Sequence, residues 1–252
     1  MLIDTHAHYS SSRFNKDRDQ LLASLPAHNI TAVINVGYDL SSSQFSVELA
    51  KKYDYIYAAV GIHPHDATAV SVDALNTLRA LAKNQKVVAV GEIGLDYYRD
   101  LSPRNIQQAA FRAQLDLARE LNLPAIIHDR DAHGDALAII KEYNDFQVVF
   151  HCYAGSAEMA KELVKRGHMI SFLGNITYDN PKRAYESALA VGLPNIMVET
   201  DCPYMTPQPQ RGKRCDSAML KHTVAQLAQW FNKPQEKIAE ITTANARNFF
   251  DI

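Results

Sequence analysis

Three cysteines, Cys152, Cys202 and Cys215, are an odd number without paired spacing, which excludes a disulfide framework. No stretch approaches the ~18 apolar residues of a membrane-spanning helix, so no membrane partner is expected. The opening residues MLIDTHAHYS lack the basic start and apolar run of a signal peptide, so reduced cytoplasm is the expected location. An excess of charge of one sign is missing too, with 26 basic and 28 acidic residues and a formal net charge of −2. That excludes a protein that coats nucleic acid by bulk electrostatics. It does not exclude an enzyme that grips one strand end, because bound metal ions would supply local positive charge. No glycine fingerprint follows the first apolar run, where a dinucleotide-binding fold needs one. Linkers, low-complexity segments and internal repeats are also missing, so residues 1–252 are expected to form a single domain.

What is present is the composition of an ordinary globular chain, 47% hydrophobic and 21% charged. A chain this long buries a full core without disulfides or a structural metal, so any metal is expected to serve catalysis. Eight short apolar runs occur in order: Leu2–Asp4, Thr31–Val36, Ile56–Gly61, Lys86–Gly91, Pro124–Ile127, Gln147–Phe150, His168–Leu173 and Asn195–Glu199. Most are rich in Val and Ile and apolar nearly throughout, as strands buried on both faces of a parallel sheet are. Helical patterns lie between them. Ile106–Asn122 is the clearest, with Ala110, Leu117 and Leu121 on one stripe widened by Phe111, Leu115 and Ala118. Ala157–Arg166 stops at Gly167 and Ala184–Val191 at Gly192, both suitable helix stops. Glu236–Phe250 reads as a last helix, closing the barrel base or packing outside it. Alternating strand and helix over this length predict a (β/α)8 TIM-type barrel, with an open doubly wound sheet as the alternative.

The chemistry gathers just after the apolar runs. His6 and His8 follow the first, two residues apart on extended chain and therefore on the same side. His63 and His65 follow the third, Glu92 the fourth, His128 the fifth, His151 the sixth and Asp201 the eighth. On an open sheet these groups would scatter, whereas a barrel brings strand ends together at one mouth. His6, His8, Glu92, His128, His151 and Asp201 suit divalent ions such as Zn²⁺ or Mn²⁺, and the carboxylates with water admit Mg²⁺. Six ligands exceed the three typical of one catalytic zinc, so two divalent ions bridged by Glu92 are expected. His6, His8 and Asp201 are assigned to one ion and His128 and His151 to the other. Asp201 would also orient or deprotonate the attacking water.

Other residues carry two readings each. Arg130 could pair with a phosphate or form a salt bridge. His63 and His65 could contact substrate or merely pack. Asp96 could steady a ligating histidine or belong to a turn. Glu199 shares parity with Asp201 and could support the site from within the barrel. Cys152 and Cys202 flank ligands and read as buried thiols. Arg211-Gly212-Lys213-Arg214 belongs on the same mouth, with Arg211 and Arg214 as phosphate-binding candidates or as a solvated charge run.

The ordered motifs DTHAH near the start, GIHPH at 61–65, GEIGLDYY at 91–98, HDR at 128–130, FHCYAG at 150–155, VETDCPY at 198–204 and RGKR at 211–214 span the chain. Together they resemble the TatD family of metal-dependent deoxyribonucleases, within the amidohydrolase-like barrels. The resemblance implies a TIM-type barrel, a divalent-metal site on the matching His, Glu and Asp positions, and phosphodiester hydrolysis in DNA. It further suggests exonuclease action from the 3′ end, with a single-stranded or frayed DNA end as partner and RNA as an alternative. One departure stands out: Cys215-Asp216-Ser217 follow RGKR where the family usually has Asn, an acidic or small polar residue, and Pro. These positions are expected to border the mouth and bear on substrate preference or loop rigidity. Two other functions compete: an amidohydrolase acting on a small amide, lactone or phosphoester, and a non-catalytic metal-binding protein. Many amidohydrolases bridge their metals with a carboxylated lysine on the fourth strand, and Glu92 in that place favours the nuclease branch.

Overall fold

A computed structural model describes residues 1–252. Eight parallel strands occur in chain order: β1 (Leu2–Ala7), β2 (Ile30–Val36), β3 (Ile56–Val60), β4 (Val87–Asp96), β5 (Ala125–Arg130), β6 (Val148–Phe150), β7 (Met169–Phe172) and β8 (Ile196–Val198). Each pairs with the next, and a parallel bridge between Ala7 and Cys202 closes the ring from β1 to the segment beyond β8. Two backbone bonds secure that seam, Asp201 N–H to the His6 carbonyl at 2.9 Å and His8 N–H to the Cys202 carbonyl at 2.8 Å. The fold is the (β/α)8 barrel. Helices α1 (Arg18–Ser24), α2 (Leu40–Lys52), α3 (Val72–Leu81), α4 (Arg104–Leu121), α5 (His133–Ile140), α6 (Ala157–Lys165) and α7 (Lys182–Val191) connect successive strands. Two more, α8 (Leu220–Phe231) and α9 (Gln235–Phe250), follow β8. No helix is long and apolar enough to cross a membrane.

The interior explains why these sequences are strands. Ile3, Ala32, Ile34, Ala59, Val88, Ile126, Val149 and Met197, from seven strands, pack into one cluster inside the ring. Ala246, Phe249 and Phe250 at the end of α9 join the same cluster, so the last helix closes the base. Above this apolar layer, period-two alternation brings polar side chains to the same inner face. Ile126 is followed two residues on by His128, Val149 by His151, and Met197 by Glu199 and then Asp201. One strand set thus makes both the apolar plug and the polar mouth.

β4 runs to Asp96, five residues beyond the fourth apolar run, and is buried throughout. β5 likewise continues to Arg130, and β1 to Ala7. His6, Glu92 and His128 therefore lie within strands and not after them, a correction to the expected placement. Polar residues end the apolar signal in sequence, yet the backbone ladder continues where the side chains face a shared polar interior.

Just before β7, His168 is buried with both ring nitrogens lacking a hydrogen-bond partner. Burial, with Arg166 adding to it, lowers its pKa to about 4. The unfolded chain binds this proton near pH 6.5 and the folded one does not, so the residue destabilises the fold progressively as pH falls from about 6.5 to 4. Urea unfolding of wild type and His168→Leu at pH 7.5 and 5 should show the variant gaining about 2 kcal/mol on the wild type at the lower pH. An unchanged difference between the two pH values would contradict this assignment.

Candidate metal centre

Glu92 sits at a register shift. Between Val90 and Ile93, β4 advances three residues while β5 advances two, from Ala125 to Ile127. Such a bulge re-aims the side chain at the extra residue. Just above it, Gly94 has φ +141°, and a Cβ there would stand 2.0 Å from the His128 carbonyl oxygen. Only glycine allows β4 and β5 to approach this closely beside Glu92 and His128.

The two carboxylate oxygens of Glu92 face different histidines. Oε2 lies 3.5 Å from Nε2 of both His6 and His8. Oε1 lies 2.7 Å from His128 Nδ1, 2.8 Å from His151 Nε2 and 3.5 Å from His63 Nε2. Asp201 completes the first half, with Oδ1 3.2 Å from His8 Nε2 and 4.0 Å from His6 Nε2. All six sequence-derived candidates are thus brought together at the mouth. Three donor sets lie within 4.8 Å: His6, His8 and Glu92; His63, Glu92 and His128; and His6, His151 and Glu199.

His63 and Glu199 were not among the expected ligands. The repetition of a His-x-His pair after β3 was the available signal for His63, and parity with Asp201 was that for Glu199. Glu199 accepts from Cys152 N–H and from the Ser171 hydroxyl, each at 2.6 Å, and its Oε1 lies 3.5 Å from His151 Nδ1. Asp96 stands behind the other half, 2.8 Å from His65 Nε2 and 3.4 Å from His128 Nε2. His65 therefore faces Asp96 and not Glu92.

The protonation states suit a cation. Burial pushes Glu92 up, but His151 and His63 overcome it and hold the carboxyl well below its usual range. Asp201 is also raised by burial and pulled below its usual range by His8. Burial drives His6 down and His63 well down, so both are neutral. In His8, His128 and His151, burial is outweighed by neighbouring carboxylates, and protons are drawn toward the space between them. His8 donates Nδ1–H to the Val36 carbonyl at 2.9 Å, so its Nε2 faces inward, 3.0 Å from His6 Nε2, where a cation would take the place of the proton that the carboxylates draw. On the far sides of these rings, His128 Nε2 and His151 Nδ1 meet Asp96 and Glu199 only at 3.4 and 3.5 Å, and His6 Nδ1 is buried without a hydrogen-bond partner. Ring nitrogens converging on anionic carboxylates fit divalent cations chemically.

The outlying candidates separate. Arg130 lies with its guanidinium 3.9 Å from the Tyr98 ring, and Arg211 with its own 4.5 Å from Tyr178. Arg214 instead forms a two-pronged pair with Asp17, at 2.8 and 2.7 Å, and covers Phe14. Its fork is occupied by that pair, so it is neither free for a phosphate, as one reading expected, nor part of a merely solvated charge run, as the other did. Cys215 and Ser217 are buried, so neither offers its side chain to a substrate. The Ser217 hydroxyl donates to Asp4 Oδ2 at 2.6 Å and lies 2.8 Å from the Tyr9 hydroxyl. Asp4 also accepts from Thr200 N–H and its hydroxyl, tying β1 to the segment after β8 beneath His6 and Asp201. The departure from the family pattern thus falls in a buried brace.

Comparison with known proteins gives a consistent result. The family model described as TatD related DNase matches residues 3–251. The uncharacterized metal-dependent hydrolase YabD of Bacillus subtilis is 40% identical, with 100% of each chain covered. The 3'-5' ssDNA/RNA exonuclease TatD of Salmonella typhimurium is 32% identical over 100% of this chain and 99% of that protein. The crystal structure of the TatD homologue YJJV from Escherichia coli superposes with a TM-score of 0.93 at 28% identity, covering 100% of this chain and 98% of the other. With the barrel, the mouth and the matching extent of these relatives, the chain belongs to the TatD family of metal-dependent hydrolases.

Proposed function

We propose that this protein is a divalent-metal-dependent exonuclease that removes nucleotides from the 3′ end of single-stranded DNA or RNA. One observation carries the reading: Glu92 presents one carboxylate oxygen to His6 and His8 and the other to His128 and His151, as a bridge between two cations does. His6, His8 and Asp201 would hold one ion, and His128 and His151, with His63 beside them, the other. When bound, such ions (Mg²⁺, Mn²⁺ or Zn²⁺) supply Lewis acidity that neutralises charge on a phosphodiester and acidifies water. The substrate class comes from the Salmonella relative, named as an exonuclease acting on single-stranded DNA and RNA from the 3′ end.

The chain's own residues have separable roles. Asp201 is the carboxylate open to the mouth, its side chain 18% exposed against 5% for Glu92. Ionised and reachable, it accepts the proton of the attacking water. Asp96 and Glu199, behind His128 and His151, steady those rings. Arg130, at the end of β5 and without a carboxylate partner, holds a phosphate at the rim. The burial of the metal-facing side chains favours a single strand, because a duplex is too broad to reach the floor of a barrel mouth.

Chelation tests the reading. Treatment with a strong chelator should abolish digestion of an end-labelled single strand, and added Mg²⁺ or Mn²⁺ should restore it. Circular dichroism should stay unchanged, because the inner cluster and outer core are built without the ligands. Loss of secondary structure together with activity would mark the metal as structural.

A further inference from the structure

Six arginines spend their charge on carboxylates: Arg79 on Glu120, Arg104 on Asp100, Arg112 on Glu142, Arg119 on Asp116, Arg166 on Glu162 and Arg214 on Asp17. Arg13, Arg130 and Arg211 are exposed and pair with none, and each rests on a tyrosine ring. Arg13 lies 5.8 Å from the Tyr204 centroid, Arg130 3.9 Å from Tyr98, and Arg211 4.5 Å from Tyr178. All six residues lie at or beyond the C-terminal ends of strands, on the face that carries the metal centre. Tyr98 and Tyr204 are among the few large hydrophobic side chains left exposed, at 60% and 50%.

Their distribution around the ring is uneven. Tyr98 follows β4 and Arg130 ends β5. Arg13 follows β1, Tyr178 follows β7, and Tyr204 and Arg211 follow β8. In a closed ring of eight, the seam of β4 with β5 lies opposite that of β8 with β1. One arginine–tyrosine pair therefore stands on one side of Glu92 and two on the other. On the two-pair side, Tyr38 continues the aromatic surface inward, its ring 5.6 Å from that of His8.

We infer that these three pairs form the strand-binding track of the exonuclease, an inference that rests on the function proposed above. The track takes a single-stranded nucleic acid with unpaired bases. Each unneutralised guanidinium can turn from its ring to a backbone phosphate, which uncovers a ring face for a base. A cation beside an aromatic platform is what binding of single strands without sequence preference requires. A duplex, with its bases stacked on one another, cannot use the rings. The two pairs at Arg13–Tyr204 and Arg211–Tyr178 hold the retained strand, and Arg130–Tyr98 holds the terminal nucleotide that leaves.

The test uses a fluorescent single strand of about ten nucleotides. Binding is read by anisotropy with Mg²⁺ in an Asp201→Asn background, where the strand survives, and digestion is read in the wild-type background. Tyr204→Ala, Tyr178→Ala and Arg13→Ala should each weaken binding about ten-fold or more, while Tyr204→Phe, which keeps the ring, stays near wild type. In digestion, Tyr204→Ala and Tyr178→Ala should raise KM for the long strand by a larger factor than KM for a dinucleotide, which reaches at most one of the two pairs. Tyr98→Ala should raise KM for both. Unchanged binding in all the alanine variants would overturn the track, and continued digestion would show that the exonuclease reading survives without it. A wild-type protein that neither binds nor digests the strand would bring down both.

Discussion

Replacing Glu92 by alanine is expected to lower turnover by about a thousand-fold or more, equivalent to about 4 kcal/mol of lost transition-state stabilisation. The size follows from position. Every histidine of the centre except His65 lies within 3.5 Å of one or other Glu92 oxygen. Without that carboxylate, the imidazoles face one another with no central anion, and two bound cations would lose the negative charge between them. Metal analysis of purified Glu92→Ala should therefore show depletion relative to wild type. The barrel should persist, because Glu92 stands above the apolar layer of Ile126, Val149 and Met197. A variant that keeps both full metal content and wild-type rate would remove Glu92 from the account.

Asp201→Asn is expected to cost about a hundred- to ten-thousand-fold in turnover by a different route. The amide can occupy the same place beside His8 but cannot accept a proton from water. His128, His151 and both oxygens of Glu92 are untouched, so at least one ion should remain. The pair of variants thus separates holding the metal from moving the proton. If Asp201→Asn loses its metal as completely as Glu92→Ala, Asp201 is a ligand first, and its role as base is unsupported. If it turns over at the wild-type rate, it has no part in the chemistry.

The barrel could be read in the sequence because parallel strands buried on both faces leave apolar runs, and polar residues at their ends mark the mouth. The limits of those runs were less reliable. β4 continues through Glu92, Gly94 and Asp96 because its neighbours supply a ladder and a polar interior, and no local window contains that information. The two-sided presentation of Glu92 depends on a register shift against β5, which is a property of the pair of strands. The fates of Arg214 and Ser217 depend on Asp17 and Asp4, each about two hundred residues away in the chain. A basic cluster looked uniform in sequence, yet one arginine is committed to an ion pair and another lies on a tyrosine. Arg13 lies in a stretch of serines and mixed charges that gives no sign of Tyr204 beside it.

The central claim is that this metal centre trims the end of a single strand. A covalently closed circular single strand set against a linear strand of the same sequence, both with Mg²⁺ or Mn²⁺, tests it most directly. The linear strand should shorten progressively from its 3′ end while the circle remains intact. Rapid cutting of the circle would contradict end-trimming and make this an internally cleaving nuclease, and an intact linear strand under every metal would contradict nuclease action itself.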